Sequence, residues 1–317
     1  MSTKLSIQTI LGDVIGSTRH RYGLKDSAGH VMDTVKILAN PTNGYLAVYH
    51  TGDNVNLATS ADLLNWDFRR TLDPQATQPT IRALPTGGFL TATEYNNQVG
   101  SGGRVRLRHY ANHRALLAGT VERERTMRRT LSACNEGTPT IYSVSLTPDI
   151  ANSTIDLGFH YQRNCDLDRQ ARGILTNFGT WRAAVDNDAD DRLVAAAAAR
   201  GRIINGNIGD RDTLTFDNVG YTVHEVQYTR GDFGSWRIYL YNWENGTASY
   251  LPIVTHGQST AFANPTVTCI SSPSGRPAIV VTLFIPFEGA APGEAGQLVY
   301  YRELGTLPTP ATGLPAG

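Results

Sequence analysis

Short apolar runs separated by turn residues recur along the whole chain, and they predict β-strands. Five of the runs open in the same way, with a threonine followed by a β-branched residue. They are DTVKIL (33–38), PTIRAL (79–84), PTIYSV (139–144), YTVHEV (221–226) and PTVTCI (265–270). The threonines lie 46, 60, 82 and 44 residues apart. A repeat of this length, with turn signals between its strands, predicts similar antiparallel units of about four strands each.

Each of these units needs a neighbour, because a lone four-stranded sheet leaves one apolar face uncovered. Five such sheets packed side by side around an axis form a β-propeller. We therefore predict an all-β chain that folds as a five-bladed β-propeller. The innermost strand of each blade is crowded at the axis, which favours the small β-branched residues that open the five runs.

The last repeat contains only three predicted strands before the Pro/Gly-rich segment at 306–317. We expect the N-terminal segment KLSIQTIL (4–11) to supply the fourth strand and remove an exposed sheet edge. Residues 1–305 then form a single propeller domain, and 306–317 form a flexible Pro/Gly-rich tail. One segment departs from the strand pattern, since DNDADDRLVAAAAARG (186–201) predicts a short helical insertion around 188–200. The alternative is a sixth blade around RIINGNIGDRDTLTF (202–216).

The charge balance excludes some partners. The chain has 28 basic and 28 acidic residues, so neither nucleic acid nor a membrane is expected to bind it. No apolar run is long enough for a signal peptide or a membrane span. We expect a soluble protein, either cytoplasmic or secreted with its signal peptide removed. Three cysteines leave the compartment open.

Candidate binding residues follow from blade geometry. The start of each innermost strand and the loop between the second and third strands lie on one face, where pockets open over the axis. Carboxylates, amides and aromatic rings on one face are suited to sugars. The predicted substrate-binding residues are His50, Gln78, Glu94, His160, Tyr161, Asp166, Asp168, Arg169, Trp243 and Asn264. Cys134 and Cys165 fall on the same face, where they are either joined in a disulfide or present as two free thiols.

Two carboxylates are predicted nearest the axis, Asp33 and Glu136 in NEGTPTI (135–141). Glycoside hydrolysis commonly uses such a pair. One carboxyl group donates a proton to the leaving oxygen, and the other attacks the sugar or activates water. Asp33, Glu136 and His224 are the predicted catalytic residues. The substrate would be an oligosaccharide or a glycoside.

A family resemblance supports this hypothesis. Residues 32–68, with Ser60, Asp62 and Trp66 in the run VNLATSADLLNW, resemble the first blade of the five-bladed propeller glycosidases such as glycoside hydrolase family 43. EGTPTI resembles that family's E-G-P motif. The resemblance implies Asp33 as general base and Glu136 as general acid. It also implies that no cofactor is required, although a structural Ca²⁺ or Na⁺ near the axis is possible, with His224 beside it.

Three other functions remain open at this point. A polysaccharide lyase would use His160, Tyr161 or His224 to abstract a sugar proton. A non-catalytic lectin would repeat the same sugar contacts in every blade, whereas the loops here all differ. A small-molecule cyclase or isomerase on a propeller scaffold is the third, because the fold does not determine the reaction.

Overall fold

The computed structural model describes residues 5–96 and 102–305, so the predicted tail at 306–317 lies outside the described residues. Five four-stranded antiparallel sheets make up the described part of the chain. The innermost strands contact one another in a closed circuit around the axis. The five-bladed β-propeller predicted from the repeats is thereby confirmed. No described helix is long and apolar enough to cross a membrane.

The elements are numbered along the chain. The helices are α1 (Ile7–Gly12), α2 (His113–Ala118) and α3 (Asn187–Ala198). The strands are β1 (Arg19–Arg21), β2 (Asp33–Ala39), β3 (Tyr45–Thr51), β4 (Asn54–Ser60), β5 (Asp67–Pro74), β6 (Ala76–Ala83), β7 (Phe89–Tyr95), β8 (Arg104–Tyr110), β9 (Arg123–Thr126), β10 (Glu136–Leu146), β11 (Ser153–Arg163), β12 (Leu167–Thr176), β13 (Thr180–Val185), β14 (Ile208–Phe216), β15 (Val219–Gln227), β16 (Trp236–Asn242), β17 (Thr247–Tyr250), β18 (Ala263–Ser271), β19 (Pro277–Ile285) and β20 (Gly296–Glu303). Blades one to four are β2–β5, β6–β9, β10–β13 and β14–β17, and blade five has the order β18-β19-β20-β1.

The strand that completes blade five is β1, which pairs with β20 through Arg19 and Tyr301. The segment 4–11 was predicted to do this, and that prediction is wrong. Residues Ile7–Gly12 form helix α1, in which Ser6 caps the first turn by accepting a hydrogen bond from the Thr9 amide. A serine three residues ahead of a helical amide is a strong helix start signal, and it outweighs the strand-like alternation of KLSIQTIL.

The fourth blade begins earlier than the repeat predicted. Its innermost strand is β14, and YTVHEV lies on the second strand, β15. Asp217 and Asn218 both have positive φ in the two-residue turn between these strands. Asx residues are well suited to this hairpin conformation. The segment considered for a sixth blade is therefore the inner strand of blade four, and Thr222 does not align with the other threonines.

All five innermost strands share one irregularity at their start. In blade one, Asp33 pairs with His50 and Lys36 pairs with Val48, so three residues oppose two. The same step occurs in the other four blades. Such bulges redirect the backbone and the side chains near it. When the strands are aligned on this bulge, Lys36 and Arg211 occupy the position of Thr80, Thr140 and Thr266. Thr34, which the repeat had aligned with those threonines, lies two residues before that position.

Polar groups join the blades at the axis. Lys36 Nζ lies 2.5 Å from Asp212 Oδ2 and 2.7 Å from the Val267 carbonyl. Thr266 Oγ1 donates to the Val35 carbonyl at 2.6 Å. These bonds join the inner strands of blades one, four and five to one another. The starts of the inner strands surround the candidate site.

The helical insertion around 188–200 is observed as α3, which lies between blades three and four. Asp186 caps it by accepting from the Ala189 amide. Trp66, from the run that resembles family 43, packs in the apolar layer between blades one and five, and its Nε1 donates to the Leu63 carbonyl at 3.1 Å. Ser60 and Asp62 accept amides of the turn that leads to it.

Candidate functional site

A cavity of about 390 Å³ opens over the propeller axis at the starts of the innermost strands. We call it the axial cavity. Five carboxylates and four amide side chains line it, together with one histidine and three aromatic rings. They are Asp33, Glu94, Asp168, Asp210 and Glu225; Gln78, Asn135, Asn207 and Asn264; His160, Phe233, Trp236 and Phe284. Six of the thirteen were predicted from the sequence as catalytic or binding residues, and they fall within a single site.

Asp33 lies at the edge of this cavity with its side chain 24% exposed. Its Oδ1 accepts the Thr34 amide at 2.7 Å and Asn264 Nδ2 at 2.8 Å. Both donors act on Oδ1, so Oδ2 keeps its lone pairs available and lies 3.7 Å from His50 Nε2. A carboxylate oriented in this way can accept a proton from a water molecule in the cavity.

His50 lies beside Asp33 but is not part of the lining of the axial cavity. Its Nδ1 accepts the Gln78 amide at 3.3 Å, which directs Nε2 toward Asp33. Burial lowers the pKa of His50, against the opposing effect of the Asp33 carboxylate. A neutral imidazole with Nδ1 as acceptor carries its proton on Nε2. His50 therefore presents an N–H to Asp33 and helps to position it.

Glu225 and Asp210 form a buried pair on blade four. Glu225 Oε1 accepts the Asp210 amide at 3.0 Å, and Oε2 accepts the Asn264 amide at 2.6 Å. Burial raises the pKa of the Glu225 carboxyl to about 7, although the two amides lower it. Burial also raises the pKa of Asp210 well above its usual range, with the Glu225 charge adding to it. Since like charges repel at this proximity, the pair retains a proton near neutral pH.

Asn264 connects the two halves of this arrangement. Its side-chain Nδ2 binds Asp33, and its main-chain amide binds Glu225. The backbone there has a φ of 48°, which asparagine tolerates better than most residues. One residue thus fixes two carboxylates of different exposure in the same cavity.

Glu94, His160 and Asp168 form the opposite wall. Glu94 Oε2 accepts the Thr138 amide at 3.1 Å. His160 Nε2 lies 3.9 Å from both Glu94 Oε2 and Asp168 Oδ1. Gly137 is required here, because a Cβ at this position would come within 1.9 Å of Glu94 Oε2. The two carboxylates can accept hydrogen bonds from the hydroxyl groups of a ligand, and His160 can donate or accept one.

Glu136 does not face the axial cavity. It is 2% exposed, and its Oε1 accepts the amides of Thr130, Leu131 and Ser132 at 2.6, 2.5 and 3.1 Å. Three charge-assisted bonds anchor the loop that precedes β10. These contacts give Glu136 a structural role and hold its carboxylate outside the lining of the axial cavity.

A Glu136→Gln variant distinguishes the two roles. We expect turnover within about threefold of the wild type, because the amide oxygen still accepts from the loop. Glu136→Ala should lower the free energy of unfolding by about 2–4 kcal/mol through the loss of these bonds. Steady-state kinetics and chemical denaturation measure the two effects. If the folded Glu136→Gln variant lost several orders of magnitude in turnover, Glu136 would be the general acid, as the family resemblance implied.

Five other predicted residues lie away from the axial cavity. Tyr161 packs in the apolar core of blade three, and Asp166 pairs with Arg230 at the surface. Arg169 Nη1 donates to the carbonyls of Asp168 and Gly206. His224 and Trp243 line a separate cavity between blades three and four. The error for these two follows from the shifted start of blade four, since the loop 241–246 joins its third and fourth strands.

Cys134 and Cys165 form a disulfide with a Cα–Cα distance of 5.3 Å, which decides the alternative left open by the sequence. It fastens the loop between β11 and β12 to the segment before β10. Asn135 lies in that segment, where its Oδ1 accepts the Gly103 amide and its Nδ2 lies 3.3 Å from His160 Nε2. The disulfide thereby fixes one wall of the axial cavity.

The predicted metal near the axis lacks a suitable set of ligands in the described ranges. No group of three His, Cys, Asp or Glu side chains there is arranged to hold a metal ion. His224, the expected partner of such an ion, is absent from the axial cavity, and burial lowers its pKa to about 3. The described residues of the axial cavity therefore do not fit the Ca²⁺ or Na⁺ ion that the resemblance implied.

Several site residues escaped the sequence prediction, notably Asp210, Asn135, Asn207, Phe233 and Trp236. Asp210 and Asn207 lie in the segment 202–216, which was considered as a sixth blade. Glu225 directly follows the predicted catalytic residue His224 in the run YTVHEV. The signal that could have identified the pair is the Asp217-Asn218 turn, which places the start of blade four at Ile208.

Comparison with known proteins gives a consistent picture of the fold. No family profile and no curated protein matches the sequence. Solved structures do match over almost the whole chain. A thermostable family-43 glycoside hydrolase covers 94% of this chain and 100% of its own, at 9% identity and a TM-score of 0.55. The GH43 endo-arabinanase from Bacillus licheniformis covers 88% and 96%, at 11% identity and a TM-score of 0.53.

A third match has a different reaction. An N-acetylgalactosamine deacetylase from F. plautii, solved in complex with blood group B trisaccharide, covers 92% of both chains at 11% identity and a TM-score of 0.57. At these identities the likeness concerns the backbone and leaves the chemistry open. The chain has the five-bladed propeller fold that family-43 glycoside hydrolases and related carbohydrate-active enzymes share.

Proposed function

We propose that the protein is a glycoside hydrolase in which Asp33 is the general base and Glu225 is the general acid. The observation that carries the proposal is the double attachment of Asn264, which holds both carboxylates in one cavity. Hydrolysis of a glycosidic bond needs two carboxyl groups with opposite protonation states. The partly exposed Asp33 and the buried Glu225 have the environments that such a division requires.

The proposed reaction starts with a glycosidic bond placed between the two carboxyl groups. Glu225 donates its proton to the leaving oxygen as the bond to the anomeric carbon breaks. Asp33 Oδ2 accepts a proton from the attacking water, whose oxygen forms the new bond to the same carbon. Burial, together with the Asp168 charge, keeps the pKa of the donor high.

The other wall supports the binding of the substrate. Glu94, Asp168 and His160 are positioned to bind hydroxyl groups, and the Trp236 and Phe233 rings can stack on the apolar face of a sugar. A reaction by lyase chemistry is less well supported. Of its three candidate bases only His160 lines the axial cavity, whereas Tyr161 and His224 lie elsewhere.

The test is direct incubation with defined polysaccharides. Arabinan and β-1,3-galactan are suitable first substrates, because solved structures of similar fold include an endo-arabinanase and an exo-β-1,3-galactanase. We expect new reducing ends without the ultraviolet absorbance of an unsaturated product. An unsaturated product formed from an acidic polysaccharide would instead assign a lyase. No product from a broad set of glycosides would contradict the proposal.

A further inference from the structure

A second cavity lies between blades three and four, away from the axis. Its volume is about 530 Å³, and it is lined among others by Tyr142, Arg172, Ala184, His224, Tyr241 and Trp243. We call it the lateral cavity. Trp236 lines the axial cavity at the start of β16, and Trp243 follows its end. A strand of this length separates the two tryptophans by about 20 Å, so the cavities open at opposite ends of blade four.

Three aromatic rings form the wall of the lateral cavity. The Trp243 ring packs edge-on against Tyr241 with centroids 5.4 Å apart, and against Tyr142 at 5.9 Å. Trp243 Nε1 donates to Thr222 Oγ1 at 2.7 Å, which fixes the indole plane. Rigid aromatic rings of this kind bind with little loss of side-chain entropy.

One buried polar atom in this wall has no partner among the described residues. It is Nδ1 of His224, a residue that is 3% exposed and lines the cavity. Because burial lowers its pKa to about 3, the imidazole is neutral in the folded protein. Orphaned buried polar groups are rare, and each indicates a missing partner.

The charges around the cavity are already compensated. Arg172 Nε lies 2.9 Å from Asp156 Oδ1, and Arg192 Nε lies 2.9 Å from Asp188 Oδ2. Asp186 is engaged as the cap of α3. An anionic ligand would therefore find both arginines already paired with carboxylates. Aromatic faces combined with a neutral hydrogen-bonding group fit an uncharged sugar, whose C–H face stacks on the rings.

We propose that the lateral cavity is a second, non-catalytic binding site for a neutral sugar unit. Trp243 and Tyr241 would provide the stacking surface, and His224 Nδ1 would bind a sugar hydroxyl. The choice of a sugar rests on the proposed function, whereas the position of the site does not. Such a site would hold a long polysaccharide on the enzyme while the axial cavity cleaves it.

The chain offers a measurement that observes both cavities at once. It contains four tryptophans, Trp66, Trp181, Trp236 and Trp243, so 5-fluorotryptophan labelling gives four resolved ¹⁹F signals. Trp236 reports on the axial cavity and Trp243 on the lateral one. Titration of the labelled Asp33→Asn variant with arabinotriose and with β-1,3-galactotriose avoids turnover. We expect one of these sugars to shift the Trp243 signal with its own saturation curve.

Two substitutions complete the test. Ala184→Phe fills the cavity from an exposed strand position and adds no tryptophan. It should weaken the binding seen at Trp243 at least tenfold without changing the response of Trp236. Ala198→Phe, at an exposed position of α3 outside the lining, is the matched control and should change neither. Assignment of the Trp243 signal comes from Trp243→Phe.

The outcomes separate this proposal from the proposed function. Saturable shifts at Trp243 without hydrolysis by the wild-type chain would support the lateral site and contradict the hydrolase. Hydrolysis without any shift at Trp243 would overturn the lateral site alone, as would binding at Trp243 that persists in Ala184→Phe. The lateral site is also overturned if neither sugar shifts the Trp243 signal. A shift of that signal by tetramethylammonium, added instead of the sugars, would overturn it as well.

Discussion

An Asp33→Asn variant is expected to hydrolyse its substrate at least about 10³-fold more slowly than the wild type. The asparagine can still accept the Thr34 amide, so the geometry around the cavity is retained. It can no longer accept a proton from the attacking water. Because this step is needed for every leaving group, the loss should be equally large for natural glycosides and for activated dinitrophenyl glycosides. Initial rates on both substrates measure it.

The matched control for this variant is Asp67→Asn. Asp67 is an exposed aspartate on the outer strand of the same blade, so its change should leave the rates unaltered. Thermal unfolding confirms that both variants remain folded. A folded Asp33→Asn protein with a rate within tenfold of the wild type would exclude Asp33 as the base.

Replacement of Glu225 by glutamine is expected to have an effect that depends on the leaving group. Turnover of a natural glycoside should fall by about 10²–10⁴-fold, because its leaving oxygen needs a proton. An activated aryl glycoside leaves without one and should lose less than about tenfold. Since the protonated acid is the active form and its pKa is about 7, wild-type activity should decline as the pH rises through that value. This alkaline decline should be missing in Glu225→Gln.

The coupled neighbour gives the contrasting case. Asp210→Asn replaces a neutral carboxyl group by a neutral amide, so the alkaline decline and the preference among leaving groups should both stay the same. If Asp210→Asn and not Glu225→Gln showed the dependence on the leaving group, the proton donor would be Asp210. pH–rate profiles on the two classes of glycoside distinguish these assignments.

The blade architecture was predictable because it is encoded locally. Thr80, Thr140 and Thr266 open equivalent strands, and apolar alternation with turn residues marks most of the others. The closing strand and the start of blade four were not predictable in the same way. Their assignment depends on a serine helix cap at Ser6 and on the Asp217-Asn218 hairpin, which are signals of one or two residues that a longer strand-like run masks in the sequence.

The site was predictable only where it depended on blade starts alone. Asp33, Gln78 and Asn264 lie close to the starts of their strands, as predicted, and they line the axial cavity, although Asp33 is one residue ahead of the position that Gln78 and Asn264 share. Glu136 also begins a strand, but the fold turns its side chain toward three amides of the preceding loop. The identity of the acidic partner depends instead on burial and on the contact between blades four and five, which one sequence does not reveal.

The pairing of β1 with β20 has a consequence for synthesis on the ribosome. Residues 19–21 are synthesised well before the strand they join, which is completed only at Glu303. Until then the nascent chain carries four blades with an open flank of unpaired backbone. Closure of the propeller during synthesis must therefore wait until β20 has left the ribosome.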